Sequence, residues 1–199
     1  MKRIAIFLLV TALATNETAI PLPPSAAAYS PHVAATSNGN REASAVADSD
    51  PLSREAVPDY RIVRDYIVRA AEKMPEEGYS FKPTPEIRNF GQLIGHIADD
   101  QYRYCAAARG DTRSTKFETN TPPKAEMLTA LKAAFAYCDA TYDAMNDGLA
   151  TRMVIFSGRS VPELTVLTRH AGHAWEHYGN VVIYMRLKGL VPPSSEKSK

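Results

Sequence analysis

Four long stretches of the chain repeat apolar residues at the three- and four-residue spacing of an amphipathic helix. They run from about 57 to 74, from 86 to 108, from 124 to 146 and from about 160 to 188. Prolines and glycines separate them, and these residues favour the end of one helix or the start of the next. Four helices of similar length joined by modest loops predict an all-α fold, specifically an antiparallel four-helix bundle.

The segment before the fourth helix carries two further signals. Residues 153–156, with the sequence Met-Val-Ile-Phe, predict either a strand or an extended cap over one end of the bundle. A solitary strand cannot build a sheet alone. Ser160 and Glu163 have the spacing of a capping box, so we expect the fourth helix to begin there, with Pro162 in its first turn. Trp175 lies near the centre of that helix's apolar stripe, where we expect it to be buried.

The N-terminus has the pattern of a secretory signal peptide. Lys2 and Arg3 precede an apolar run, and a small-residue cleavage pattern ends at Ala14. This predicts removal of residues 1–14, or of the residues up to Ala28, where a second such pattern ends. The alternative is an N-terminal membrane anchor, but the apolar run is shorter than the roughly 20 residues that a spanning helix needs.

Residues 15–52 are rich in small and polar residues and include His32, which we do not expect to belong to a site. Such a composition buries too little surface to offset chain entropy, so we predict a disordered linker. The helical bundle is expected over residues 53–195, followed by a polar tail at 196–199. After signal removal no stable membrane span is expected, and the predicted location is periplasmic or secreted.

Charge and cysteine content narrow the function classes. The chain has 23 Lys and Arg against 22 Asp and Glu, a net charge of +1, and no basic patch that would indicate nucleic-acid binding. The expected partner is an unknown small-molecule substrate, and a homodimer is compatible with the sequence. Export would place Cys105 and Cys138 in an oxidising compartment, where they could form a disulfide. They could equally be two buried thiols, since cysteine is common in protein cores.

Three of the five histidines lie in the fourth predicted helix, at His170, His173 and His177. On a helical wheel they fall within roughly 60° of one another, beside the apolar stripe. His173 and His177 have the i, i+4 spacing that lets two imidazoles bind one metal ion. His96 lies on the flank of the second helix's apolar stripe, with Asp100 one turn later on the same side. The spacing alone fits hydrogen-bonded histidines at the edge of a core equally well.

Two blocks of sequence resemble a known family. The first block begins at residue 71 and ends in Leu93-Ile94-Gly95-His96, and the second contains His173-x-x-Glu176-His177-Tyr178-Gly179-Asn180 and ends at residue 195. Over about residues 56–195 the chain resembles the DinB superfamily, which includes YfiT-like metal-dependent hydrolases and related thiol S-transferases. The resemblance implies a four-helix bundle of up-down-down-up or up-down-up-down topology.

The resemblance also implies a divalent metal ion held by three histidines, which correspond to His96, His173 and His177 in this chain. Zinc or nickel is the expected ion, and three histidine ligands leave a position open for water or substrate. Asp100 and Glu176 are candidates to orient the ligand rings through hydrogen bonds.

The expected function is that of a metal-dependent enzyme in which the ion activates a water, as in a hydrolase, or a thiol. The alternative is a non-catalytic metal-binding or stress-associated interaction module. Residues 173–177 also match the H-x-x-E-H pattern of inverted zincins, but those proteases take a third ligand well downstream, and only 22 residues follow His177. His170, just before this motif, is not assigned as a ligand. The sequence identifies no substrate and no catalytic residue.

Overall fold

The computed structural model describes residues 50–197. The predicted signal peptide, His32 and nearly all of the predicted linker therefore lie outside the described residues. Residues 50–197 form six α-helices and two strands, as follows: α1 Pro51–Arg54, α2 Ala56–Lys73, α3 Phe90–Ala108, α4 Lys124–Asp143, α5 Asp147–Ala150, β1 Met153–Phe156, β2 Arg159–Pro162 and α6 Glu163–Leu187. Two 3₁₀ turns, Glu76–Ser80 and Pro193–Ser195, follow α2 and α6. Within the described part of the chain, no helix is both long and apolar enough to cross a bilayer.

The four long helices, α2, α3, α4 and α6, pack into one bundle, so the predicted all-α four-helix fold is confirmed. Each of α3 and α2 packs against both α4 and α6, which leaves α2 and α3 diagonal to one another. The core is continuous through all four helices.

Ring contacts between helices give their directions. Tyr60 and Tyr66 of α2 contact His170 and Tyr178 of α6 in the same order along the chain, so these two helices are parallel. Contacts between α3 and α4 follow the same order along both helices: Tyr102 contacts Tyr137, and Arg109, just after α3, donates a hydrogen bond to Thr141. These two helices are therefore also parallel.

The other two neighbouring pairs are antiparallel. The start of α3 contacts the end of α6 through Phe90 and Tyr184, whereas Tyr104, near the end of α3, contacts His170. The start of α4 contacts the end of α2 in the same opposed sense, through a hydrogen bond from the Lys124 ammonium to the Met74 carbonyl. The topology is therefore up-down-down-up, and the antiparallel arrangement that we predicted holds for two neighbouring pairs and not for all four.

Two predicted helix starts are displaced, each for a local reason. The helix α3 begins four residues later than predicted, because Asn89 and Gln92 form a reciprocal capping box in which each side chain accepts a hydrogen bond from the other's backbone N–H. The start of α6 is not capped by Ser160, which is paired with Ile155 in a β-hairpin instead.

That hairpin confirms the strand interpretation of residues 153–156 and supplies the partner strand that the sequence did not indicate. Strands β1 and β2 pair antiparallel with Val154 opposite Val161. They are joined through Ser157 at φ 50° and Gly158 at φ 74°, a left-handed pair typical of a two-residue hairpin turn. Residues 159–162 therefore belong to the hairpin, and α6 begins only at Glu163.

The expectation that Trp175 is buried at the centre of its stripe was wrong. The residue is only partly buried and packs on the edge of the core, with its ring 6.0 Å from the rings of Tyr66 and Tyr178. Because α6 lies between α2 and α3, its core stripe has two flanks. Trp175 is on the flank that faces α2, and His173 and His177 are on the flank that faces α3.

Cys105 of α3 and Cys138 of α4 form a disulfide bond, which settles a question that the sequence left open. Both residues are fully buried. The bond joins the two parallel helices next to the part of the core that contains His170.

Candidate metal centre

Four potential metal ligands meet between α3 and α6. His96 and Asp100 stand one turn apart on α3, His173 and His177 stand one turn apart on α6, and their ligand atoms all lie within 4.8 Å of one another. Because the two helices are antiparallel and packed side by side, two i, i+4 pairs on facing flanks produce one cluster. The structure thus brings together the three histidines that the sequence singled out and adds Asp100 to them.

The Nε2 atoms of all three histidines point into the cluster. Asp100 Oδ2 lies 3.1 Å from His96 Nε2 and 2.7 Å from His173 Nε2, and His173 Nε2 lies 3.0 Å from His177 Nε2. Two atoms bound to one ion by bonds of about 2.0–2.1 Å are at most about 4 Å apart. Three imidazole nitrogens and a carboxylate oxygen at these separations therefore fit a divalent ion with little movement.

Asp100 has a different place from the one predicted for it. Its Oδ2 contacts the Nε2 atoms that face the cluster, so it stands among the ligand atoms rather than behind a ligand ring. Its Oδ1 accepts hydrogen bonds from Arg103, at 2.7 and 2.8 Å. Burial by itself would raise the pKa of Asp100, but hydrogen bonds from His173, His96 and Arg103 hold that pKa well below its usual range. The side chain is therefore a carboxylate, the form that binds cations.

Glu118 was missed by the sequence analysis, because it lies between the second and third predicted helices, where no periodic signal marks it. Its Oε2 lies 2.8 Å from His96 Nδ1, and its Oε1 accepts a hydrogen bond of 2.7 Å from Arg88 Nε. Burial works to raise the pKa of Glu118, but the hydrogen bonds from Arg88 and His96 lower it overall. An ionised Glu118 accepts a hydrogen bond from His96 Nδ1–H, so Nε2 is the nitrogen of this ring that would bind an ion. The hydrogen bond to Asp100, with that to Glu118, raises the pKa of His96 above its ordinary value.

The loop that carries Glu118 is fixed to α3 by one side chain. Asp99 accepts hydrogen bonds from the Thr115 hydroxyl, at 2.5 Å, and from the backbone N–H groups of Phe117 and Glu118, at 2.9 and 3.0 Å. The loop also crosses α3 directly over Gly95, where a Cβ would lie 2.6 Å from the Phe117 carbonyl carbon and oxygen. Glycine at position 95 and aspartate at position 99 therefore bring Glu118 within reach of His96.

The rings of His173 and His177 differ in the partner of the Nδ1 atom. Glu176 Oε2 is 3.5 Å from His173 Nδ1, on a side chain that is 69% exposed, so the predicted orienting contact exists but is long. His177 Nδ1 is buried and has no hydrogen-bond partner among residues 50–197. Burial, followed by the neighbouring charges of His173 and His96, lowers the pKa of His177 to about 4. At neutral pH His177 is therefore uncharged, as a metal ligand must be.

His170 is outside this cluster, in agreement with the decision not to assign it. It is 1% exposed, with Nδ1 at 3.0 Å from the Tyr142 hydroxyl, and its own Nε2 has no partner in the described chain. Burial lowers its pKa to about 3. Its ring also lies close to Cys105 and Cys138, but the disulfide withdraws both sulfurs from metal binding.

A cleft of about 520 Å³ leads to the cluster from the side of the 112–119 loop. His96, Asp100 and Glu118 are among the residues that line it. Its volume is within the range of small-molecule sites. The centre is therefore open toward a space that could admit a substrate.

The DinB superfamily family model matches residues 59–181, which covers more than half of the chain and includes all four clustered residues. No curated protein matches the sequence.

Solved structures show the same fold at low sequence identity. A DinB-like protein from Bacillus cereus ATCC 10987 is 18% identical with a TM-score of 0.61, over 69% of this chain and 93% of that one. A DinB-like protein from Bacillus subtilis is 19% identical with a TM-score of 0.59, over 72% of this chain and 99% of that one. A mycothiol-dependent maleylpyruvate isomerase is 15% identical with a TM-score of 0.56, over 65% of this chain and 60% of that one.

Proposed function

The chain belongs to the DinB superfamily, and from that premise we propose that it is a metal-dependent enzyme with one divalent ion bound by His96, His173 and His177. The observation that carries the proposal is the convergence of three Nε2 atoms and one carboxylate oxygen beside an open cleft that His96 and Asp100 line. A non-catalytic metal-binding or interaction module is the alternative, and a sealed centre would favour it. The cleft beside His96 and Asp100 favours the enzyme.

Zinc or nickel is the ion that we propose, because imidazole nitrogen suits both ions. Three histidines are typical of catalytic rather than structural zinc sites, since they leave room for a further ligand. Asp100 is positioned to fill that place or to share it with a water or substrate atom. Its second oxygen is already fixed by Arg103, so the carboxylate needs no reorientation to do so.

When bound, such an ion lowers the pKa of a water or a thiol enough to make it a nucleophile near neutral pH. The chain's own residues prepare the site for this chemistry. Glu118 holds the Nδ1 proton of His96, Arg103 orients Asp100, and burial keeps His177 neutral. His96 differs from His177, because its hydrogen bonds to Asp100 and Glu118 raise its pKa, so binding of the ion would displace the Nε2 proton of this ring.

Water and thiol activation correspond to hydrolase and thiol-transferase chemistry. The structural likeness to an isomerase described as mycothiol-dependent makes a thiol cosubstrate plausible for this fold. We also propose export of the protein, on the sequence of residues 1–14, and export would favour the hydrolase because small thiol cosubstrates are mainly cytosolic. An experiment can distinguish the two reactions, because only the thiol transferase consumes a thiol.

Elemental analysis of the purified protein tests the metal centre. We expect one zinc or nickel per chain, and loss of most of it in each of His96→Ala, His173→Ala and His177→Ala. His170→Ala is the matched control, since it removes a buried histidine from the same helix outside the cluster. Full metal content in the triple variant His96→Ala/His173→Ala/His177→Ala would contradict the proposal. Loss of metal in His170→Ala but in none of the three single variants would also contradict it. Metal-dependent turnover of ester or amide substrates, with and without added thiol, then distinguishes the two chemistries.

A further inference from the structure

The cleft beside the metal centre has cationic residues in its wall. Its lining combines residues of the centre with residues of the loop that follows α3: His96, Asp99, Asp100, Arg103, Arg113, Lys116 and Glu118. Every carboxylate in this set is already engaged by donors. Asp100 is bound by Arg103 and the histidines, Glu118 by Arg88 and His96, and Asp99 by the loop backbone and Thr115.

Two cations in the wall remain without a carboxylate. Arg113 and Lys116 form no ion pair with any residue between 50 and 197, whereas Arg103 and Arg88 each pair with a carboxylate of the centre. The charge of these two side chains is therefore available to a ligand. Both residues line the same cleft as His96 and Asp100, so this charge lies in the space that adjoins the metal ligands.

Stacking positions the Arg113 side chain, and the loop positions the backbone of Lys116. The Arg113 guanidinium stacks on the rings of Tyr102 and Tyr137, at 4.1 and 4.9 Å from the ring centroids. Stacking of this kind leaves the edge of the guanidinium, with its N–H groups, free to donate. Lys116 lies between Thr115 and Phe117, whose hydrogen bonds to Asp99 fix the loop.

We propose that Arg113 and Lys116 bind an anionic group of the substrate, a carboxylate or a phosphate, while the rest of the molecule reaches the metal centre along the same cleft. The proposal rests on the proposed function, since it names the class of substrate that the centre would act on. A guanidinium matches either anion with two parallel hydrogen bonds, and the ammonium adds a point charge. At about 520 Å³, the cleft suits a small metabolite rather than a polymer.

Titration of the purified protein with three probes tests this assignment. Succinate and inorganic phosphate are the anionic probes, and succinamide is the neutral counterpart of succinate. We expect both anions, or one of them, to bind at millimolar concentration and succinamide to bind at least about tenfold more weakly. Stronger binding of succinate would assign a carboxylate, and stronger binding of phosphate a phosphate.

The double variant Arg113→Gln/Lys116→Gln should weaken anion binding about tenfold or more, because each lost charged hydrogen bond contributes a substantial share of the affinity. Arg159→Gln, which removes an exposed cation from the hairpin, is the matched control and should bind like the wild type. Equal anion affinity in wild type and double variant would overturn the proposal, as would equal affinity for succinate and succinamide or no binding of any probe.

The same samples separate this proposal from the proposed function. Metal content is measured in each variant, and we expect the double variant to keep its ion, because neither residue contacts a ligand atom. The anion titration is repeated on chelator-treated protein, where the two cations should still matter. Equal anion affinity in wild type and double variant, with normal metal content in both, contradicts the cationic wall alone, whereas absence of metal from wild type contradicts the proposed function alone.

Discussion

The Nδ1 atom of His96 lies 2.8 Å from a carboxylate oxygen of Glu118, a residue 22 positions later in the chain. This pair gives His96 a partner of the kind that metal-binding histidines usually have, a carboxylate behind the ring. The same carboxylate is held from the other side by Arg88. The contact therefore fixes both the tautomer and the orientation of one proposed ligand.

Replacement of Glu118 by Gln should weaken metal binding about 10–100-fold, because removing a partner of a ligand ring typically has an effect of that size. The amide can still contact His96 but no longer favours the Nδ1–H tautomer by its charge. Competition with a chromophoric chelator measures the affinity. Glu176→Gln is the comparison, and its effect should be several-fold smaller because its contact with His173 is 3.5 Å and exposed. Equal affinities in Glu118→Gln and wild type would exclude this role.

Gly95→Ala should reproduce much of that loss without touching any ligand. The added Cβ would lie 2.6 Å from the Phe117 backbone and 2.8 Å from Glu118 N, so the loop must move away from α3. We expect about 1–3 kcal/mol lower free energy of unfolding, as for other overpacked sites, together with weaker metal binding. Gly179→Ala is the control, because nothing lies within 4 Å of its new methyl group and alanine favours a helix interior. A variant with the stability and metal affinity of wild type would show that the loop does not depend on Gly95.

The part of the centre that lies on helices was accessible from sequence, and the part that lies on the loop was not. The i, i+4 spacing of His173 and His177 and the position of His96 on an apolar flank are periodic signals, and the family match at residues 59–181 agrees with the fold they predict. Glu118 has no such signal, since its position depends on Asp99 and Gly95 in another element.

The β-hairpin and Trp175 show the same limit of prediction from sequence. Residues 159–162 are mostly polar and exposed, so no hydrophobic alternation marked them as the partner of β1. Trp175 lies at the edge of the apolar stripe of α6, and only the packing of α2 against one flank decides how much of the ring is covered. In both cases the deciding contact comes from a residue that is distant in sequence.

The pH dependence of stability should reveal His170. Burial lowers its pKa to about 3, whereas the unfolded chain has the ordinary value near 6.5. Below pH 6.5 the unfolded state binds a proton that the folded state does not, so stability should fall as the pH drops from about 6.5 toward 3 and should not depend on this group above that range. The loss should be about 3–5 kcal/mol over the whole interval.

Urea unfolding of chelator-treated protein, at a series of pH values, measures this effect without interference from metal release. His170→Gln removes the titrating group and should show a flatter decline than wild type between pH 6.5 and 3. Its stability at neutral pH should also be lower, because the residue is buried against Tyr142. Parallel pH curves for the two proteins would contradict a buried neutral His170.

The disulfide between Cys105 and Cys138 should stabilise the fold by about 3–4 kcal/mol, the amount expected when a loop of this length is closed in the unfolded chain. Unfolding in urea with and without reductant measures the difference on one sequence, which avoids the cavity that a Cys105→Ala/Cys138→Ala variant would leave. The oxidised protein should also show the smaller denaturant slope, because its cross-linked unfolded chain exposes less surface.

The metal centre should be unaffected by this reduction. The ligands lie on α3 before Cys105 and on α6 after Cys138, so the bond joins no ligand to another, although its loop contains Glu118. Reduced protein that is still folded should therefore keep its full metal content and lose only stability. Identical unfolding curves in the two redox states would show that the bond constrains nothing in the unfolded chain, and release of the ion on reduction of folded protein would show that the bond instead supports the loop that carries Glu118.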